Sequence, residues 1–252
     1  MQHNNQATTS NLSFPFRWTG GFLKDVKDAA FHFLFPHVCE GCGTDVLERD
    51  HMLCLQCLSS LPKTEFQFYP ANPVEKLFWG RLPVTAAAAH CYFTKESMMQ
   101  HLMHQLKYRG NKELGLYLGR VLGLALQAAN RFRYVDALVP LPLYSFKERK
   151  RGYNQATLLC EGMAEVMNKP VLKDVIIRNT HTESQTKKNR VERWLNMEGR
   201  FEVVKPEAIE GKHVLLVDDV VTTGATLEAC GAALLDAPNV QVSIATLCYS
   251  GH

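Results

Sequence analysis

The feature that most constrains this chain lies at residues 214–226, Val-Leu-Leu-Val-Asp-Asp-Val-Val-Thr-Thr-Gly-Ala-Thr. Residues 214–217 are apolar without interruption, as expected of a central parallel strand covered on both faces. The strand runs into Asp218 and Asp219, then into a loop of hydroxyl-bearing and small residues. A helix is predicted over residues 226–235, with Leu227, Cys230 and Leu234 aligned on one face. Ligands of open α/β sheets bind at the carboxyl ends of the strands, and N–H groups at a helix start suit a dianionic phosphate. Thr222, Thr223 and Thr226 add hydroxyl donors. Gly224 lets the loop turn tightly around an anion, and Ala225 is its other small residue. Asp218 and Asp219 can accept from sugar hydroxyls or hold Mg²⁺. The chain has no GxxxxGK[ST] and no GxGxxG after a strand, which argues against P-loop and dinucleotide chemistry. The plain alternative is an Asp pair in a turn, with Thr and Gly capping a helix.

The rest of the chain sets this motif in an alternating pattern. Strands are predicted at residues 84–93, 135–139, 171–177 and 240–248, and helices at 95–108, 114–125 and 155–168. Strands alternating with helices imply βαβ units, an α/β fold with a parallel sheet flanked by helices. Pro62, Pro70, Pro73 and Pro83 mark residues 62–83 as an irregular linker. Residues 1–20 read as a disordered tail, and 21–35 as a short amphipathic helix stopped by Pro36. The expected division is tail 1–20, N-terminal module 21–64 and main domain 84–252. With 46% hydrophobic and 21% charged residues, a sizeable core can be buried. No apolar run approaches the ~18 residues of a membrane helix, and the N-terminus lacks a secretory pattern, so a cytoplasmic protein is expected. A net charge of +3 does not by itself argue for nucleic acid.

Eight cysteines fall into two groups. Cys91, Cys160, Cys230 and Cys248 sit in apolar stretches and read as small buried hydrophobes. Cys39-x2-Cys42 and Cys54-x2-Cys57 form two knuckles separated by eleven residues. Four thiolates on such knuckles suit the tetrahedral geometry of a closed structural zinc site. Disulfides are disfavoured in a cytoplasmic chain, and iron in a rubredoxin-like site is the other metal that this ligand set takes. Gly41 and Gly43 relax the first knuckle where backbone approaches the metal; His37 and His51 lie nearby but are not needed as ligands.

The strand, acid pair and Thr-Thr-Gly-Ala-Thr loop resemble the 5-phosphoribosyl-1-pyrophosphate (PRPP) signature of type I phosphoribosyltransferases. Further motifs follow in order: the cysteine pairs, Leu106-Lys-Tyr-Arg-Gly110, Val139-Pro-Leu-Pro142, Arg151-Gly-Tyr-Asn-Gln155, Thr182-Glu-Ser-Gln185, then Arg190, Arg193 and Asn196. Together they resemble the ComF family, also called the competence protein or amidophosphoribosyltransferase-like family, over about residues 35–249. The resemblance implies a type I phosphoribosyltransferase fold behind a zinc finger and, in some members, a link to DNA uptake in natural transformation. It implies that Asp218 and Asp219 hold the ribose hydroxyls and are central to catalysis, and that residues 222–226 hold the 5-phosphate.

In that frame the basic stretch Lys147, Arg149, Lys150 and Arg151 falls in a loop at the carboxyl end of the 135–139 strand. There it would neutralise pyrophosphate through charge-assisted hydrogen bonds. Residues 178–200 are read as a lid bearing Arg190 and Arg193. Solvated surface is the competing reading for each of these cations. The expected activity is transfer of a phosphoribosyl group with Mg²⁺ to an acceptor that cannot be read. The alternatives are a non-catalytic protein that binds single-stranded DNA and meets the competence machinery, or one that senses PRPP without turning it over.

Overall fold

The computed structural model describes residues 37–48, 51–179 and 200–251. The tail, the helix expected at 21–35, the Thr182–Gln185 motif and the lid candidates Arg190 and Arg193 lie outside the described residues.

Four parallel strands form the main sheet, in the order β1-β6-β5-β2. They are β1 (Ala87–Tyr92), β2 (Ala137–Pro140), β5 (His213–Val221) and β6 (Gln241–Tyr249). A separate antiparallel pair is made by β3 (Ile176–Asn179) and β4 (Arg200–Val203). The helices are α1 (Leu55–Ser59), α2 (Pro73–Lys76), α3 (Met98–Tyr108), α4 (Lys112–Gln127), α5 (Ser145–Arg151), α6 (Gln155–Met167) and α7 (Ala225–Leu235). The central strands β5 and β6 are apolar because helices cover both of their faces. Val214 to Val217 are completely buried, and so are Val242, Ile244 and Leu247. Two polar residues of β6 are tolerated there because they are bonded. Ser243 Oγ lies 2.8 Å from His213 Nε2, and Thr246 Oγ1 donates to the Cys248 carbonyl at 3.0 Å.

Short polar caps start the helices around the site. Ser97, Asn111 and Asn154 accept from first-turn N–H groups of α3, α4 and α6. Helices α4 and α6 cross with their backbones nearly touching. A Cβ on Gly119 would stand 2.3 Å from the Leu159 carbonyl oxygen, and one on Gly162 2.0 Å from that of Leu116. The four scattered cysteines are all buried, as expected from their apolar surroundings.

Four expectations are corrected. The strand expected at 171–177 is not one strand of the sheet: Val171 makes an isolated bridge beside Leu138, and β3 begins only at Ile176, pairing antiparallel with β4. Lys173 to Val175 form a turn and bend between the two pieces. The linker at 62–83 is more ordered than its prolines suggest. Asn72 caps α2 with Pro73 at its first position, where the missing N–H is no loss. Residues 62–64 lie against the outer edge of β1 through Thr64 N–H to the His90 carbonyl, 2.9 Å, and Tyr92 N–H to the Pro62 carbonyl, 2.8 Å. The basic stretch is not a loop but the helix α5, closed by Gly152 at φ +79°. Strand β5 continues past residue 217 and carries both aspartates within it.

Candidate functional site

The site lies where β5 runs out of the sheet. Successive side chains of a strand point to opposite faces, so the two aspartates look different ways. Asp219 faces α3, where Lys107 Nζ lies 3.0 Å from its Oδ1. Asp218 faces the side of α7 and the β3–β4 pair, within electrostatic reach of Cys230 and Arg178. Its Oδ1 accepts the backbone N–H of Asp219 at 2.7 Å. Burial first, and then the Asp219 charge, push the Asp218 carboxyl up to about 8; the Asp219 N–H, Lys107 and Arg178 oppose this without cancelling it. Each carboxylate is a hard oxygen donor of the kind Mg²⁺ takes, but the two leave opposite faces of β5, and among the described residues only the four cysteines bring three or more candidate metal ligands together.

The loop beyond β5 turns at Gly224, whose φ of +77° lies in the left-handed region. Gly224 is the N-cap of α7 and brings no side-chain acceptor, so the first-turn N–H groups face the loop. Thr222, Thr223 and Thr226 are exposed around this helix start, and Ala225 is half-buried. The loop is braced from the linker. Arg81 pairs with Glu228 of α7 and donates to the Thr223 carbonyl at 3.3 Å, and the ring of fully buried Phe78 packs under Gly224.

The cations expected to meet pyrophosphate divide. Lys147, Lys150 and Arg151 line a cleft of ≈ 450 Å³ together with Lys107, Tyr108, Gly110, Phe146 and Tyr153; among the described residues no carboxylate lines it. Arg149 is exposed on the same helix and does not line the cleft. Arg151 is held by Gln155 Oε1 at 2.6 Å and lies 5.6 Å from the Tyr108 ring centroid. Sequence reasoning missed Lys107 and Arg178. The guanidinium of Arg178 stacks 3.7 Å from the Tyr144 ring centroid, joining β3 to the segment after β2. Lys107 carried a signal only as part of the Leu106–Gly110 motif; helical periodicity alone places it on the polar face of α3.

The four cysteines of the knuckles come together. Their sulfurs all lie within 4.8 Å of one another, and Cys42 and Cys54 are 3.7 Å apart. A disulfide needs about 2 Å, whereas four sulfurs at ~2.3 Å from a tetrahedral metal stand roughly 3.8 Å apart. The donor set therefore fits a metal site consistent with zinc. Burial raises the Cys39 thiol, but backbone N–H groups of Cys54, Cys42 and Gly41 outweigh it and bring the group down to about 6, while burial and the neighbouring sulfurs push the Cys57 thiol up. His37 and His51 are not in the cluster; His37 Nε2 lies 2.7 Å from the His51 carbonyl oxygen.

Parallel sheet, acid pair toward the end of β5 and hydroxyl loop opening a helix together define a type I phosphoribosyltransferase-like fold. Comparison agrees: residues 156–252 match the phosphoribosyl transferase domain family. Over 215 residues the chain is 29% identical to the DNA utilization protein YhgH of Escherichia coli (strain K12), covering 84% of this chain and 89% of that protein. It is 33% identical over 147 residues to competence protein F of Haemophilus influenzae, covering 56% of this chain and 64% of that one. Adenine phosphoribosyltransferase from Saccharomyces cerevisiae aligns with a TM-score of 0.36 and 18% identity, over 57% of this chain and 72% of its own. The chain is thus similar in sequence to these competence and DNA-utilization proteins, and it joins a phosphoribosyl transferase domain match at residues 156–252 to a four-cysteine cluster near its N-terminus.

Proposed function

We propose that this protein binds PRPP with Mg²⁺ at the end of β5 and acts as a phosphoribosyltransferase in the cytoplasm, in the handling of DNA taken up or used by the cell. The observation that carries the reading is the juxtaposition of three parts: the Asp218–Asp219 pair, the Gly224 turn at the start of α7, and the carboxylate-free cationic cleft. In this reading Asp218 and Asp219 accept from the ribose hydroxyls. The α7 N–H groups with Thr222, Thr223 and Thr226 hold the 5-phosphate. Lys147, Lys150 and Arg151 hold the pyrophosphate. An acceptor nitrogen attacks C1 of the ribose; the C1–N bond forms as the C1–O bond breaks, its electron pair leaves with pyrophosphate, and the acceptor's proton passes to solvent. The protein's contribution is position and charge rather than a covalent intermediate. Bound Mg²⁺ would supply further neutralisation of the diphosphate oxygens. Zinc in the cysteine cluster would be structural, since four protein sulfurs leave no open position.

Calorimetric titration of PRPP with Mg²⁺ tests this. The wild type should bind and the Asp218→Asn/Asp219→Asn protein should not. A wild type that fails to bind would sink the reading. One observation favours a second: Tyr108 and Phe146 are 68% and 70% exposed beside Lys147, Lys150 and Arg151, a pairing of aromatic and cationic groups that suits single-stranded DNA. Affinity for an oligonucleotide that falls steeply with salt would support it.

A further inference from the structure

Lys107 is the residue that belongs to both halves of the site. Its ammonium lies 3.0 Å from Asp219, and it lines the cleft shared by Lys147, Lys150 and Arg151. An ammonium has three donors, so one can stay on Asp219 while the others turn to an anion in the cleft.

What holds Lys107 there is the corner between α3 and α4, and that corner is gripped by the first cysteine knuckle. Glu40 stands between Cys39 and Cys42. Its backbone carbonyl accepts from Gln105 Nε2 at 3.2 Å, two residues before Lys107. Its carboxylate accepts from Asn111 Nδ2 at 2.9 Å, while Asn111 Oδ1 caps α4 through the Leu114 N–H at 3.0 Å. The knuckle also seats on the first turn of α3: a Cβ on Gly41 would meet Met98 Sδ at 2.9 Å. From the other side, Tyr153 Oη donates to the Leu106 carbonyl at 2.5 Å. The corner is thus pinned between the knuckle and the turn that follows α5.

We propose that Lys107 is a positioning cation for the diphosphate part of the ligand, and that the cysteine knuckle, through Glu40, sets where its ammonium stands. The inference rests on the phosphoribosyl reading of the site. It gives the N-terminal module a part in ligand binding in addition to its own folding.

The test is calorimetric titration of the full chain, with zinc content measured in every variant, using three probes: PRPP with Mg²⁺, inorganic pyrophosphate with Mg²⁺, and ribose 5-phosphate. Lys107→Met should lose ~10–100-fold in affinity for the first two, the worth of one charge-assisted hydrogen bond, and a clearly smaller factor for ribose 5-phosphate, which meets Lys107 only through Asp219. Lys107→Arg should restore part of the loss. Glu40→Ala should weaken the same two ligands at unchanged zinc content, and Glu40→Gln, which keeps an oxygen for Asn111, should bind as the wild type does. Equal losses on all three ligands would reduce Lys107 to a structural ion pair. Undiminished pyrophosphate affinity in Lys107→Met would overturn the proposal while leaving the phosphoribosyl reading intact. Undiminished affinity in Glu40→Ala would overturn the knuckle's part. A wild type that binds none of the probes would instead fail the phosphoribosyl reading itself, and the proposal with it.

Discussion

Replacing Gly224 by alanine separates the loop's geometry from its chemistry. The backbone at Gly224 has φ +77°, which costs an L-residue about 1–2 kcal/mol. The new methyl would also stand 3.0 Å from Phe78 Cε1, on a ring that is fully buried and has little room to yield. At ~2–4 °C per kcal/mol for a chain of this size, the strain alone lowers Tm by roughly 2–8 °C. If the loop relaxes to a right-handed conformation instead, the N–H groups that open α7 turn away from the anion. The loss of one such charge-assisted bond is worth ~1.5–3 kcal/mol, or roughly 10–100-fold in affinity for ribose 5-phosphate. Gly211→Ala is the control. Gly211 has φ +67°, and a methyl added there would meet nothing within 4 Å; it precedes β5, at the end of the strand away from the site, so it carries the strain without the chemistry. Thermal melts and calorimetry on both variants decide the matter. Gly211→Ala should lose stability and keep affinity, and Gly224→Ala should lose both. A Gly224→Ala protein that melts and binds ribose 5-phosphate as the wild type does would refute the argument that the phosphate site depends on a left-handed turn.

Three further outcomes follow from the site and the cysteine cluster. Asp218 is raised from 3.8 to about 8, so between those values the folded chain holds a proton that the unfolded chain does not; stability should therefore fall as pH rises from about 4 to 8, and Asp218→Asn should flatten that decline in denaturant titrations. On the proposed function, in which the ribose hydroxyls donate to the Asp218 carboxylate, affinity for PRPP with Mg²⁺ should rise over the upper part of the same range; a flat profile would count against that role for Asp218. Cys42→Ser removes one of four sulfurs within 4.8 Å of one another and should cost the cluster its metal, whose binding supplies on the order of 10 kcal/mol to such a module. Full metal content with unchanged melting in that variant would rule out the four-sulfur site.

Much of the site was legible because its parts are contiguous in sequence. Residues 214–226 pass from buried strand to acid pair to hydroxyl loop to helix, and each step leaves a local signature in residue type. The two CxxC pairs are legible for the same reason, since ligand spacing is itself local. The alternation of strands and helices was enough to specify a parallel sheet, but not that Val171 and β3 stand apart from it, because strand propensity does not say which edge a segment will pair with.

What tertiary structure alone decided is which distant groups share a face. Lys107 pairs with Asp219 across 112 residues only because the fold brings the end of α3 to the end of β5, and Arg178 meets Tyr144 only because the fold brings β3 to the segment after β2. The glycines of α4 and α6 look like weak points in their helices until the crossing brings Gly119 and Gly162 against facing backbone. Glu40 reads as a surface acid beside a cysteine until the knuckle seats on α3 and its oxygens meet Gln105 and Asn111. Local chemistry is written in neighbouring residues, which the chain's order specifies directly. Pairing between residues far apart depends on how helices and strands pack, and packing is settled by the summed burial of the whole core rather than by any one segment.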